Sequence, residues 1–258
     1  MFGKLLMHDF RATAGVQGAM ALVSLFASVL GMIIMRNGGL LANTASVIDE
    51  VLVIALMLMV VFWATYTLMS AVIQLNHFYR SRFCDEGYLT FTLPVSSHQI
   101  LLSGFLTTLF WIPASLLVTG LSVGGMMFFG LAEMDGQRMA FLKDVFQRLP
   151  AWLPPLEVSK LLGLAFLSLI AELITVMTAI TVGSLFGKKH RLLTGIVFYG
   201  VVSAVSTAVS LWIFAMLPSG TAGFSYSFPV VGIAVNIVIA AGGYFLMHYL
   251  VSRKLNLT

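Results

Sequence analysis

Glu172 is the one acid set deep within a long apolar run of this sequence, near the middle of residues 161–186. A charged group at that depth in a bilayer costs at least a few kcal/mol and faces protein or water. Two chemistries follow: a carboxylate in a substrate path or gate, or a carboxyl hydrogen-bonded to a Ser or Thr of a neighbouring helix. The next apolar run carries Ser203, Ser206, Thr207 and Ser210. Its Ser203-x-x-x-Thr207 spacing is shared by Gly120-x-x-x-Gly124 and Gly183-x-x-x-Gly187, and such small-residue pairs let helix backbones approach closely. The histidines (His8, His77, His98, His190, His248) are scattered, mostly near the ends of apolar runs, with no paired-ligand spacing. The single cysteine, Cys84, excludes an internal disulfide and any Cys-based redox or metal motif. The methionines are spread over all the apolar runs, unlike a copper path. No metal site and no catalytic centre are expected.

The elements that must position these residues follow from composition. Of 258 residues, 59% are hydrophobic and 9% charged, with mean hydropathy +1.00. A soluble domain carries roughly 25% charged residues, so a water-soluble enzyme is excluded and an all-α membrane protein is expected. The net charge of +4 is dispersed in short clusters between apolar runs, not gathered into a stripe that would bind nucleic acid.

A bilayer core needs about 20 mostly apolar residues per helix. Six runs qualify: Val16 to Met35, Val51 to Leu75, Ile100 to Leu131 (over-long, with Pro113), Leu161 to Phe186, Leu192 to Leu217 and Pro229 to Val251. The first lacks a small-residue cleavage site and is expected to be retained. Only Lys188-Lys189-His190-Arg191 separates the fourth run from the fifth, which predicts a tight helical hairpin. With both termini cytoplasmic, nine Lys/Arg lie inside against five outside, the orientation that the positive-inside rule favours.

Three segments fall outside the spans. Residues 1–14 set Phe2, Leu5, Leu6 and Phe10 at helical spacing opposite Lys4, His8 and Arg11, as in an amphipathic interfacial helix; the alternative is an extension of the first span. Within the outer loop 133–157, Met139, Leu142, Val145, Phe146 and Leu149 share a face opposite Arg138, Lys143, Asp144 and Arg148, which predicts an outer amphipathic helix. Pro218 to Pro229 reads as a loop or a re-entrant turn.

The cytoplasmic loop of residues 76–99 is longer than a turn needs and unusually apolar. Phe83, Tyr88, Leu89, Phe91 and Leu93 give it a hydrophobic side, with Asp85 and Glu86 ahead of most of it. Gly87 bends or breaks the backbone, Pro94 ends a short element, and Ser96 or Ser97 is a natural N-cap for the third span. A short exposed amphipathic helix of this kind fits a partner's groove; alternatively it lies on the membrane surface. The run Asp85-Glu86-Gly87-Tyr88-Leu89-Thr90-Phe91-Thr92-Leu93-Pro94-Val95-Ser96, preceded by Phe78-Tyr79-Arg80, closely resembles the loop after the second span in small six-span permeases of the ABC exporter (type-two permease) family. The opening Phe2-Gly3-Lys4-Leu5-Leu6 with Asp9-Phe10-Arg11 is similar to their N-terminus. Spans and topology agree over the whole chain, while these two stretches are the specific ones.

The resemblance implies a single permease domain over residues 1–258, with 1–14 as a connecting helix. Asp85, Glu86, Gly87, Tyr88, Leu89, Phe91, Leu93 and Pro94 would then form a coupling helix resting in a cleft of an ABC ATP-binding subunit. It also implies a second permease copy or a related permease as dimer partner. The second and fifth spans would line that interface, with Phe62, Trp63, Tyr66 and Met69 as substrate-path contacts beside Glu172, Ser203 and Thr207. The chain holds no P-loop: Gly183-Ser-Leu-Phe-Gly187-Lys188-Lys189 is one residue short and lacks the hydroxyl. The chain itself is therefore not expected to be an enzyme or to bind a cofactor, ATP and magnesium belonging to the partner. The expected function is ATP-driven export of an amphipathic or hydrophobic cargo, peptide toxins or antimicrobial peptides first, across the cytoplasmic membrane of a bacterium. The alternatives are an ion-gradient-driven transporter or channel, and a membrane scaffold or sensor subunit that moves nothing.

Overall fold

The computed structural model describes residues 2–37, 47–84, 87, 95–130, 155–186, 190–216 and 224–254. Six long helices account for nearly all of them: α1 (Phe2–Asn37), α2 (Val47–Phe83), α3 (Ser97–Gly130), α4 (Pro155–Phe186), α5 (Arg191–Met216) and α6 (Phe224–Lys254). Each contains a stretch long and apolar enough to cross a membrane, and the chain is a multi-pass membrane protein. The outer-loop segment around Gln137–Leu149 lies outside the described residues, as does most of the 85–94 run.

Residues 2–37 form one unbroken helix of 36 residues, so the N-terminal segment continues into the first span. No proline interrupts it, and an added Cβ at Gly15 or Gly18 would meet nothing within 4 Å. At 1.5 Å per residue α1 is about 54 Å long, well beyond the roughly 30 Å of hydrocarbon. The over-long third run is likewise a single helix of 34 residues with Pro113 inside it. Its start is capped as expected at Ser96: the Gln99 amide donates to Ser96 Oγ at 3.3 Å, and the Ser96 amide donates to Gln99 Oε1 at 3.4 Å. This is a reciprocal capping box. From Phe224 onward the expected loop before the last span is already helical, with Pro229 in the second turn of α6.

The chain divides into two compact units. Unit 2 comprises Met7–Gln74 and Thr107–Pro154, and its described helices are joined through polar contacts. Trp63 is buried and donates from Nε1 to the Ser24 carbonyl at 3.4 Å, while the Ser24 and Ser122 hydroxyls meet at 3.1 Å. Gln17 Nε2 donates to the Ser70 carbonyl at 3.1 Å, and Thr67 meets Thr119 at 3.0 Å. Buried hydroxyls and amides suit a protein in lipid, where apolar surface gives helices little reason to associate and polar contacts do more of the work. Phe10 packs against Phe110 and Trp111 with ring centroids 5.0 and 4.9 Å away.

Unit 1 comprises Met1–Leu6, Leu75–Leu106 and Pro155–Thr258. It holds the end of α2, the start of α3 and the whole of α4, α5 and α6. Helices α4, α5 and α6 pack on one another. A core of Phe78, Leu101, Met177, Met247 and Val251 ties the α2–α3 ends to α4 and α6. Both candidate sites lie in this unit.

Candidate functional site: an anchored hairpin and a polar cavity

The first site is the frame of the loop after α2. Arg82 is almost completely buried at the end of α2. Its Nε and Nη2 both donate to the Ile100 carbonyl of α3, at 3.2 and 3.1 Å, and Nη2 also donates to Ser103 Oγ at 3.0 Å. Nη1 donates to Ser81 Oγ, and the guanidinium stacks over Phe78 with 5.0 Å to the ring centroid. A planar fork that reaches several acceptors at once is what arginine supplies and lysine does not. The two legs of the loop are thereby pinned together.

Two glycines make room for this pin. A Cβ at Gly104 would lie 2.7 Å from the guanidinium carbon and 2.8 Å from the Phe78 ring. Gly87 is buried, donates to the Cys84 carbonyl at 2.7 Å, and has no space for a Cβ, which would come 2.5 Å from the Arg82 carbonyl oxygen. Of the expected coupling residues, Gly87 is thus placed in a turn folded back on the end of α2. Asp85, Glu86, Tyr88, Leu89, Phe91, Leu93 and Pro94 lie outside the described residues. In the first turn of α3, His98 Nδ1 pairs with the Tyr244 hydroxyl of α6 and its ring meets His248 with centroids 6.3 Å apart. The hairpin therefore bears directly on α6.

The second site is a polar cavity of about 210 Å³ formed by α4, α5 and α6. Glu172, Ser203 and Thr207, three residues singled out from the sequence, all line it and are exposed at its mouth. The Tyr199 hydroxyl of α5 donates to Glu172 Oε1, and the Ser206 hydroxyl donates to Asn236 Oδ1 of α6. The partner of Glu172 is thus a tyrosine, not the Ser or Thr expected of a purely structural carboxyl. Tyr199 and Asn236 were not legible as site residues. The signal available for Asn236 was its being the one amide of the last span; no spacing in the sequence pointed to Tyr199.

The aromatic candidates on α2 fall elsewhere. Trp63 and Tyr66 are buried within unit 2, where the Trp63 indole is engaged with α1. Phe62 and Met69 are exposed on α2, at 37% and 49%. Neither group lines the cavity.

The small-residue motifs also separate. A Cβ at Gly183 would lie 2.6 Å from the Arg191 carbonyl oxygen and 2.8 Å from the Gly195 nitrogen, so α4 and α5 touch backbone to backbone. At Gly120 and Gly124 a Cβ would meet nothing within 4 Å, so among the described residues no helix approaches this pair closely. Ser203 and Thr207 are exposed at the cavity rather than covered by a helix. Among the described residues no group of three His, Cys, Asp or Glu side chains is placed to hold a metal ion. Compared with protein-family models, with curated proteins and with solved structures, the chain finds no match.

Proposed function

We propose that this chain is the membrane-spanning permease subunit of an ATP-driven exporter of the type-two permease family, working with a separate ATP-binding subunit and a second permease. One observation carries the reading. The pinned α2–α3 hairpin and the mid-span cavity containing Glu172 belong to the same compact unit. A load applied to the loop reaches α6 through His98 and Tyr244, and α6 forms one wall of the cavity through Asn236. An exposed carboxylate at mid-span is costly against lipid, so in the membrane its face is covered by a water-filled path or by another protein. A permease dimer with a central path supplies both.

In this reading residues 85–94 form the coupling element in the cytoplasm, Gly87 sets its turn and Arg82 fixes its base. The cargo is amphipathic or hydrophobic, with peptides as the first class to test. The experiment is co-purification with a Walker-type ATP-binding subunit encoded beside this chain, followed by cargo-stimulated ATP hydrolysis in proteoliposomes. Replacing Glu86 and Tyr88 together by alanine is expected to lower transport per ATP by about tenfold or more, with thermal stability unchanged. Transport driven by an ion gradient without the ATPase would overturn the proposal. So would an ATPase that binds and is never stimulated by any cargo, which is the behaviour of a scaffold.

A further inference from the structure

We infer that the α4–α5–α6 cavity is a site for a hydrogen-bond-donating organic cation: the ammonium group of an amphipathic amine, or a lysine or amino terminus of a peptide. The inference deepens the reading of this face as a cargo path and rests on it.

Three hydroxyls spend their protons on their own helices. Thr175 donates to the Ala171 carbonyl at 2.9 Å, Thr207 to the Ser203 carbonyl at 2.9 Å, and Ser210 to the Ser206 carbonyl at 2.7 Å. Two more donate across helices, Tyr199 to Glu172 and Ser206 to Asn236. Each hydroxyl oxygen keeps acceptor capacity after donating once, and an ionised carboxylate offers only acceptors. Glu172 Oε2 remains for a ligand, together with the lone pairs of the donated hydroxyls. Among the described lining residues the donors left over are the Ser203 hydroxyl and the Asn236 amide, and no Lys, Arg or His is present.

A site of this composition favours a ligand that is positive and rich in N–H groups. Charge-assisted hydrogen bonds to a carboxylate are about twice as strong as neutral ones. An anion would find one carboxylate and few donors. The apolar wall of Val202, Leu211 and Ile239 suits an alkyl chain beside the head group. The volume of about 210 Å³ is several times the roughly 30 Å³ share of one water, enough for an ammonium and a short chain. The same chemistry is available from a phosphatidylethanolamine head group. Glu172 lies near the middle of the Leu162–Phe186 span, a depth at which lipid head groups do not reside, and this favours the cargo.

The test uses the full purified chain in detergent, without an ATPase partner, and three probes: hexylammonium, hexyltrimethylammonium and hexanol. Hexylammonium is expected to raise the melting temperature saturably. Hexyltrimethylammonium, which keeps the charge and has no N–H, is expected to bind at least about tenfold more weakly, as is hexylammonium to the Glu172→Gln variant. Hexanol gives no saturable shift. Thr207→Val removes one acceptor without touching Glu172, weakens hexylammonium about threefold, and serves where Glu172→Gln fails to fold.

Equal binding of the two cations, or hexylammonium binding unchanged by both substitutions, overturns the assignment. Repeating the titration in phosphatidylcholine nanodiscs, with and without phosphatidylethanolamine, separates the two sources of ammonium. An unchanged hexylammonium affinity supports a cargo site, and competition by the lipid overturns it in favour of a head-group site. Since no ATPase takes part, failure here leaves the co-purification and coupling experiment untouched, and failure there leaves this one untouched.

Discussion

Replacing Gly183 by valine is expected to destabilise the protein by on the order of 3 kcal/mol, the upper part of the usual range for overpacking. The reason lies in which atoms a side chain would meet. A Cβ at this position comes within 2.6 Å of the Arg191 carbonyl oxygen, 2.8 Å of the Gly195 nitrogen and 2.9 Å of the Gly195 Cα. All three are backbone atoms, so no rotamer change makes room and α4 must move away from α5. Close backbone approach is much of what holds helices together in lipid, and the displacement loses dispersion contacts along the hairpin. Gly195→Ala is expected to cost less, about 1 kcal/mol, because its nearest contact is the Ala179 carbonyl oxygen at 3.1 Å. Gly120→Ala and Gly124→Ala meet open space and are expected to fall within about 0.5 kcal/mol of the parent. Unfolding of the four variants in mixed detergent micelles checks the order. A Gly183→Val chain as stable as Gly120→Ala would mean that α4 and α5 do not meet at these glycines. The same displacement separates Glu172 from Tyr199, so hexylammonium binding should weaken in Gly183→Val and stay intact in Gly120→Ala.

That contrast shows what was legible in the sequence. Gly120-x-x-x-Gly124 and Gly183-x-x-x-Gly187 look alike as strings, because the motif states that close approach is allowed and not which helix arrives. For Gly183 the nearness in the chain of α5, which begins at Arg191, decides it. The last four spans were legible to within about six residues, since sparse charges mark their ends and Ser96 announces the start of α3, whereas α1 begins well before Val16 and α2 runs on past Leu75 to Phe83. The N-terminal segment could be read as a separate surface helix because its amphipathic pattern is real. The backbone carries it on into α1, as nothing between Thr13 and Gln17 forces a break. Glu172 stood out by being the lone acid in a span. Tyr199 and Asn236 did not, because a tyrosine or an amide in a helix has many packing explanations and its partner is set by tertiary contacts. Arg82 was the least legible. It was counted with the loop charges that orient the chain, whereas its acceptors on α3 lie 18 to 21 residues further on.

Arg82→Met should lower stability by about 2–3 kcal/mol, and it should also impair coupling of the loop to the spans. Methionine keeps most of the apolar stem, so the loss reports the head group. The Ile100 carbonyl and the Ser103 and Ser81 hydroxyls lose a charged donor in a buried place, and hydrogen bonds to a charged group are worth about 1.5–3 kcal/mol. Arg82→Lys is expected to recover little of this. An ammonium lacks the planar fork that here bonds the Ile100 carbonyl through two nitrogens while reaching Ser81 and Ser103. Gly104 supplies the control. Its hydrogen faces the guanidinium, and a Cβ there would sit 2.7 Å from it, so Gly104→Ala alone should cost about 1–2 kcal/mol. In the Arg82→Met background the contact with the planar head group is gone and only the approach to the Phe78 ring remains, so the same substitution should cost less by about 0.5 kcal/mol or more, a favourable coupling in a double-mutant cycle. Additive effects at the two sites would mean that Gly104 does not make space for Arg82. On the proposed permease reading, Arg82→Met in proteoliposomes with an ATP-binding subunit is expected to hydrolyse ATP while moving less cargo per ATP than the parent, because a loop whose two legs are no longer pinned would bend under load instead of turning α6. If stability falls as predicted and the ratio of transport to hydrolysis does not change, Arg82 is a structural pin alone, and the loop transmits its load through the His98–Tyr244 contact without it.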